Sequence, residues 1–88
     1  MKKRRNWNAK GKYRALLRVL KVFVALCRTR FGVTFQELLE EAECSRRTLY
    51  RYLDVLQEAG VRLVVERRMT GEVIRRVDHV DGARVRVA

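Results

Sequence analysis

The sequence predicts an α+β domain in which three helices are followed by a β-hairpin. Between residues 12 and 57, apolar side chains recur every three or four positions, which is the period of an amphipathic helix. Glycine and helix-capping residues interrupt this pattern twice, so it divides into three helices. After Gly60 the pattern changes to two short, valine-rich runs separated by the turn-like stretch 67–71. A chain of 88 residues has room for one such domain with one modest core.

The charge of the chain is strongly positive for its length. Lys and Arg number 21 against 10 Asp and Glu, which gives a net charge of +11. Six of the basic residues fall within residues 1–12, where there is no acid. An excess of this sign attracts polyanions. Because the charge is clustered, a nucleic-acid partner is favoured over a surface that is merely solubilised.

Several classes of site are not expected. Cys27 and Cys44 are far apart, and with His79 they supply fewer ligands than a structural zinc needs. Cys27 falls on an apolar helical stripe, which predicts a small core residue, although a disulfide stays open. The sequence has no catalytic triad, phosphate loop or dinucleotide fingerprint, so we expect neither an enzyme nor a cofactor. With no membrane span or signal peptide, a cytoplasmic location is expected.

Residues 1–11 combine dense positive charge with little apolar periodicity, which predicts a flexible basic arm. Such arms follow DNA phosphates or enter the minor groove, so Arg4 and Arg5 are candidate contacts. The alternative is a disordered tail that only solubilises the chain.

The first helix is predicted over residues 12–31 and is expected to end at Gly32. One set of apolar positions recurs at spacings of three and four, with Leu16 and Phe23 beside it, and it is expected to face the core: Tyr13, Leu17, Leu20, Val24, Cys27 and Phe31. The same repeat suits a coiled-coil seam. Three heptads are barely enough for one, so core packing is preferred.

The second helix is predicted over about residues 35–43. Thr34 and Glu37 have the spacing of a capping box, in which each side chain bonds the backbone N–H of the other. Four apolar residues are expected to face inward: Phe35, Leu38, Leu39 and Ala42. The remaining face is acidic and would be repelled by phosphates, so it is expected to point away from DNA.

The third helix is predicted over residues 46–57, with Ser45 as its N-cap. Leu49, Leu53 and Leu56 form its buried stripe, and Tyr52 is expected to pack partly in the core. A helix, a short turn and a second helix make a helix-turn-helix, whose second helix enters the major groove. The following strands, 61–66 and 72–77, form a hairpin that would be its wing.

The start of the third helix carries the candidate DNA contacts. Arg46 and Arg47 lie where base edges are reached, and arginine can donate two hydrogen bonds to guanine. Positive charge at a helix start is slightly unfavourable for stability, which favours a binding role. Arg51 is interpreted as a phosphate clamp. Three further candidates donate to a phosphate, touch a thymine methyl or pack at the turn: Ser45, Thr48 and Tyr50.

The hairpin supplies a second basic surface. Arg67 and Arg68 lie at its tip, with Arg75 and Arg76 along its second strand, and these side chains would follow the minor groove or the backbone. Residues 78–88 are interpreted as a third strand or a tail, which leaves residues 12–77 as the winged helix-turn-helix domain.

The segments 33–39, 44–53 and 56–60 resemble a known family. In particular, the run SRRTLYRYLDVLQEAG is similar to the winged helix-turn-helix domain of bacterial WYL-type and DeoR-like transcription regulators. The resemblance covers about residues 13–77 and implies sequence-specific binding of double-stranded DNA in the nucleoid, usually as a homodimer. In WYL regulators a ligand-sensing domain follows the wing. Because the sequence ends at Ala88, a cut-out module and a small stand-alone regulator are both open, and no small-molecule site is expected within it.

Two other functions are weighed against DNA binding. A winged-helix protein-interaction module without DNA binding would not need arginines on its third helix or a charge of +11. Single-strand or RNA binding usually uses exposed aromatics on a sheet, and the hairpin strands contain none. A transcription regulator that binds duplex DNA is therefore the preferred interpretation.

Overall fold

The computed structural model describes residues 11–82, with side chains from Tyr13 onward. Its elements follow in the order α1 (Gly11–Arg28), β1 (Val33–Thr34), α2 (Phe35–Ala42), α3 (Arg46–Glu58), β2 (Val61–Arg67) and β3 (Val73–Val80). The three strands form one antiparallel sheet in the order β1-β3-β2. This confirms the predicted α+β fold of three helices and a hairpin. Residues 1–10 of the predicted arm and the predicted third strand after residue 82 lie outside the described residues, whereas Gly11, assigned to the arm, begins α1.

The two-residue strand β1 was not predicted from the sequence. It pairs Val33 with Arg75 and Thr34 with Ile74 of β3. Gly32, with φ of 103°, allows this approach, because a Cβ there would lie 2.5 Å from Cδ1 of Ile74. Gly32 therefore does not end α1, which finishes four residues earlier at Arg28. Its function is to let the loop after α1 pass directly against the sheet.

The wing is longer than the sequence predicted. Strand β3 continues to Val80, three residues beyond the predicted end at Val77. The pairing shifts between Arg62 and Leu63, which lie opposite His79 and Val77, so Asp78 is an extra residue and forms a β-bulge. At the base of the wing, Nε of Arg62 donates to Oδ2 of Asp81 at 2.7 Å. This hydrogen bond holds the pKa of Asp81 below its usual value.

Helices α2 and α3 bury the faces that the sequence predicted. Leu38 and Ala42 of α2 are buried, with Phe35 and Leu39 packed against them. The buried face of α3 comprises Leu49, Tyr52, Leu53 and Leu56. Tyr52 is 7% exposed and is thus a core residue rather than a DNA contact. The capping box of α2 is also confirmed, with Glu37 N–H donating to Thr34 Oγ1 and Thr34 N–H donating to Glu37 Oε1.

The prediction for the inward face of α1 was wrong. The core instead contains Val22, Ala25 and Leu26, with Val19 and Phe23 packed beside them. The six residues that we call the outer stripe are exposed, and Cys27 is among them rather than in the core: Tyr13, Leu16, Leu20, Val24, Cys27 and Phe31. Leu17 borders this stripe and is half-buried.

The physical reason is that α1 is apolar on two faces. At 100° per residue, Val19, Val22 and Leu26 lie opposite Tyr13, Leu20 and Val24. Helical periodicity reports that a face is apolar, but it does not report which of two apolar faces meets the core. None of the helices in the described part of the chain is long and apolar enough to span a membrane.

Candidate nucleic-acid interface

A tight three-residue turn sets α3 against α2. Glu43 ends α2 in the left-handed conformation, with φ of 54°, and its N–H donates to the carbonyl of Leu39 at 2.7 Å. Few non-glycine residues adopt this conformation, but it closes a helix in one residue. Cys44 follows, half-buried against the core, and burial raises the pKa of its thiol. The backbone then enters α3 at Ser45.

Ser45 and Thr48 fix the start of α3. The Oγ of Ser45 accepts from the Thr48 N–H at 3.2 Å, which is the predicted N-cap bond. The Ser45 hydroxyl also donates to Thr48 Oγ1 at 3.0 Å. Both hydroxyls are thereby occupied in holding the first turn. These bonds fix the backbone that carries Arg46 and Arg47.

The exposed face of α3 is basic in its first half and acidic in its second half. Arg47 and Arg51 lie one turn apart on the outermost row, and Asp54 and Glu58 continue along the same side. Arg46 and Tyr50 flank this row on the side nearer to α2. The ion pairs formed by the described residues do not include Arg46, Arg47 or Arg51. Positive charge is therefore concentrated in the first two turns of the helix.

Phe35, the first residue of α2, organises the side chains beside that row. Its ring centroid lies 4.6 Å from that of Tyr50, with the ring planes tilted by 34°. The guanidinium carbon of Arg46 lies 4.7 Å from the same centroid, within the range of a cation–π contact. Phe35 was expected to point into the core. It is half-buried, and part of its ring supports two of the predicted site residues.

Arg75 approaches the same ring from the sheet. Its guanidinium carbon lies 5.5 Å from the Phe35 centroid. The sequence placed Arg75 on the wing as one of four hairpin arginines. The pairing of β1 with β3 places it instead beside the starts of α2 and α3, together with Arg46 and Tyr50. No sequence pattern predicts this cluster, because the two-residue strand that brings Arg75 to it is too short to recognise.

At the tip of the wing, the arginines contact their own turn. Nη1 of Arg67 donates to the carbonyl of Gly71 at 3.1 Å. Nη1 of Arg68 lies 3.1 Å from Oε1 of Glu72. Both side chains are exposed and each has further N–H donors. The tip is therefore a less basic surface than its two arginines suggest.

The predicted site residues fall into three groups in the structure. Arg46, Arg47, Tyr50 and Arg51 share the exposed face of α3, which Phe35 and Arg75 extend, whereas Ser45 caps the helix and Thr48 is half-buried on its other flank. Arg67 and Arg68 form a separate group on the wing. Arg4 and Arg5 lie outside the described residues. Within residues 11–82, no group of three or more His, Cys, Asp or Glu residues could hold a metal ion.

The chain matches one family model. Residues 18–72, more than half of the 88, match HTH_11, which is described as an HTH domain. Neither the curated proteins nor the solved structures include a match. The matched range runs from within α1 through the turn and α3 to the end of the wing turn. HTH_11 is a family of DNA-binding domains rather than enzymes, and the three helices and hairpin of the structure agree with the match. The chain belongs to the HTH_11 family of helix-turn-helix domains, here with a β-hairpin wing.

Proposed function

We propose that this protein is a transcription regulator that binds double-stranded DNA with the first two turns of α3 in the major groove. One observation carries the proposal: Arg46, Arg47 and Arg51 share the exposed start of α3 and none of them is in a described ion pair. Arginines that lack an acidic partner keep their N–H donors available for bases and phosphates.

Arg47 is the residue that we assign to base reading. It lies on the outermost row of α3, in the first turn, which is the part of a recognition helix that meets base edges. Its guanidinium can donate two hydrogen bonds to O6 and N7 of a guanine. Arg51, one turn later on the same row, is assigned to a phosphate. The acids that follow, Asp54 and Glu58, would be repelled by the backbone and mark where the contact ends.

We assign Arg46 and Tyr50 as DNA contacts whose side chains are held in position before DNA binds. The ring of Phe35 contacts both side chains, which reduces the rotamer freedom lost when they bind. A cation–π contact at an exposed site contributes about 0.5–1 kcal/mol. Arg75, on the other side of the ring, adds a positive charge suited to a flanking phosphate.

The wing and the arm are assigned to the DNA backbone and the adjacent minor groove. Arg67 and Arg68 would exchange their turn contacts for phosphates, which is feasible because both are exposed. Arg4 and Arg5 would follow the groove beside the wing. These contacts would add affinity without selecting a sequence.

The wider biology follows from the resemblance to WYL-type and DeoR-like regulators. It supports a homodimer on a palindromic or direct-repeat site, in the bacterial cytoplasm at the nucleoid. We assign no small-molecule site to this chain.

The test is to bind the full chain to a labelled duplex of roughly 25–30 base pairs, long enough for two half-sites. Fluorescence anisotropy would compare this duplex with single-stranded DNA of the same length at several salt concentrations. We expect the duplex to be preferred and log K to fall linearly with log salt, because phosphate contacts release counterions. If no duplex binding occurred at low salt, the proposal would be wrong, and the domain would be a protein-interaction module.

A further inference from the structure

The outer stripe of α1 is the largest apolar feature on the surface of the described chain. Tyr13 is 37% exposed, Leu20 49%, Val24 48%, Leu16 55% and Phe31 75%, and Cys27 is exposed with them. We estimate its area as on the order of 500 Å², which is comparable with the largest apolar patch on a typical monomer, about 300–600 Å². The largest patch on a monomer is often functional.

The opposite face of α1 is already buried. Val22 and Leu26 are fully enclosed by the core, and Ala25 is nearly so. A helix with two apolar faces on opposite sides can bury both only by packing against a neighbour on each side. Leu16, Leu20 and Val24 of the outer stripe are nevertheless each about half exposed, so the described part of the fold leaves them largely uncovered. Its sequence is thus that of a helix with a partner on each side, and the fold supplies one of them.

We propose that the outer stripe is a homodimer interface in which α1 of one copy packs against α1 of a second copy about a two-fold axis. With Leu17 in place of Leu16, the stripe repeats at spacings of 4, 3, 4, 3 and 4, which is the repeat that packs one helix against another in a coiled coil. An isologous contact needs a surface that complements itself. The dimer itself does not rest on the proposed function; only its use in binding an operator does.

The shortness of the stripe does not weaken this inference. A free coiled coil of three heptads would have to hold its own helices folded as well as pair them. Helix α1 is already held by the core through Val22 and Leu26. The pairing surface is therefore preformed, and association does not have to order the helix.

The rim of the stripe carries both signs of charge. A shallow groove of about 270 Å³ opens along it, lined by Leu17, Leu20, Lys21, Val24, Arg28 and Glu41. Arg14, Lys21 and Arg28 line one flank of α1, and the acidic face of α2 follows behind them. Arg28 and Glu41 approach within 3.7 Å, and both are exposed. In a dimer, the basic side chains of one copy can therefore face the acidic side chains of the other. DNA at this rim would instead be repelled by the acidic side chains of α2.

The area is adequate for a stable pair. Burying the stripe and its rim on both copies reaches the lower end of specific interfaces, about 1,200 Å² in total. The stripe also points away from α3, because α3 packs on the opposite, buried face of α1. A dimer formed here leaves Arg46, Arg47 and Tyr50 uncovered in both copies.

The first test compares two matched variants of the full chain by sedimentation equilibrium without DNA. Val24 on the stripe is 48% exposed and Val65 on β2 is 54% exposed, so Val24→Glu and Val65→Glu make the same change at similar exposure. We expect the wild type and Val65→Glu to be dimers, and Val24→Glu to be a folded monomer by circular dichroism. A wild type that stayed monomeric at high concentration, or a Val24→Glu variant that still dimerised, would overturn the proposal.

The second test needs no change on the stripe and decides the matter if Val24→Glu does not fold. In a Cys44→Ser background, Cys27 is the one thiol, and its reaction with Ellman's reagent is followed as protein concentration rises. We expect the rate to fall several-fold as dimers cover Cys27. A rate independent of concentration would overturn the proposal. Because neither test contains DNA, both outcomes are independent of whether the protein binds an operator.

Discussion

Helices α1 and α3 both pack one face against the same core, but they present opposite chemistry on the other face. The exposed side of α3 carries Arg47 and Arg51 and then Asp54 and Glu58. The exposed side of α1 carries a tyrosine, two leucines and a valine, and Phe31 is exposed in the loop that follows. A charged exposed face is stable in water and is free to bind a polyanion. An apolar exposed face lowers its free energy by meeting another apolar surface.

Under the two proposals above, this difference assigns DNA and a second copy of the chain to separate surfaces of the domain. The α3 surface is suited to DNA, and the α1 surface is suited to a second protein. Both depend on the short connections that fix the helices, namely the Glu43 turn before α3 and the Gly32 loop after α1. Substitutions on the two faces of α1 should therefore differ in their effects, and substitutions on α3 should differ from those on α1.

The largest effect should distinguish the two faces of α1. Leu26 is fully buried and Leu20 is half-exposed, so Leu26→Ala should lower the free energy of unfolding by about 2–5 kcal/mol. The same change at Leu20 should cost less than about 1 kcal/mol, because it leaves no enclosed cavity. Urea unfolding followed by circular dichroism would measure both, in the Val24→Glu background so that pairing does not contribute. Equal losses at the two positions would mean that α1 is packed differently.

The next effect should distinguish α3 from the rest of the basic surface. Arg47→Ala should cost roughly 1–3 kcal/mol of binding to the preferred duplex and relax its preference at one base pair. Arg30→Ala, in the exposed loop after α1, removes the same charge and serves as the control. Anisotropy titrations with the preferred and a scrambled duplex would measure both variants. If Arg47→Ala weakened the two duplexes equally, Arg47 would be a phosphate contact.

A smaller effect should show how α2 supports α3. Phe35→Leu keeps an apolar side chain but removes the ring under Arg46 and Arg75, so duplex binding should weaken by about 0.5–1 kcal/mol. Tyr50→Phe keeps the ring contact and removes the hydroxyl, so it separates stacking from a phosphate hydrogen bond. Binding and unfolding should be measured together. Unchanged affinity in a stably folded Phe35→Leu variant would argue against the supporting role.

The smallest effect concerns the base of the wing, which belongs to neither helix. Folding lowers the pKa of Asp81 from its ordinary 3.8, chiefly through the hydrogen bond from Arg62. Stability from this pair is therefore present above that value and is lost as the pH falls through the lower folded pKa. Because the pair is exposed, the gain is small. Carbon NMR of the Asp81 carboxyl should show the lowered pKa in wild type and a return towards 3.8 in Arg62→Ala; an ordinary value in wild type would contradict the contact.

The sequence was sufficient for α2 and α3 because local rules act on them without competition. The Thr34–Glu37 box and the Ser45 cap each define a helix start by hydrogen bonds within four residues. Each of these helices has a single apolar face, so its periodicity has a single solution. On α1 the same reasoning chose the wrong face, because the deciding factor is the shape of the core and not the spacing of its residues.

The candidate interface was predictable where it is contiguous in sequence and not where it is assembled by tertiary contact. Arg46, Arg47, Tyr50 and Arg51 lie within two turns of α3, so the surface that they share follows from helix geometry alone. The contacts of Phe35 with Arg46 and Arg75 join α2, α3 and β3. The contact with Arg75 depends on the pairing of Val33 with Arg75, residues 42 positions apart. No local pattern encodes such a contact.

The division of work between α3 and α1 is tested most directly by NMR on the labelled chain as a duplex is added. The amide and arginine side-chain signals of residues 45–51, with those of Phe35 and Arg75, should shift most. The signals of Leu16, Leu20 and Val24 should stay in place at a protein concentration where the dimer is already formed. Shifts concentrated on the outer stripe, with the signals of α3 unchanged, would contradict the assignment of DNA binding to α3.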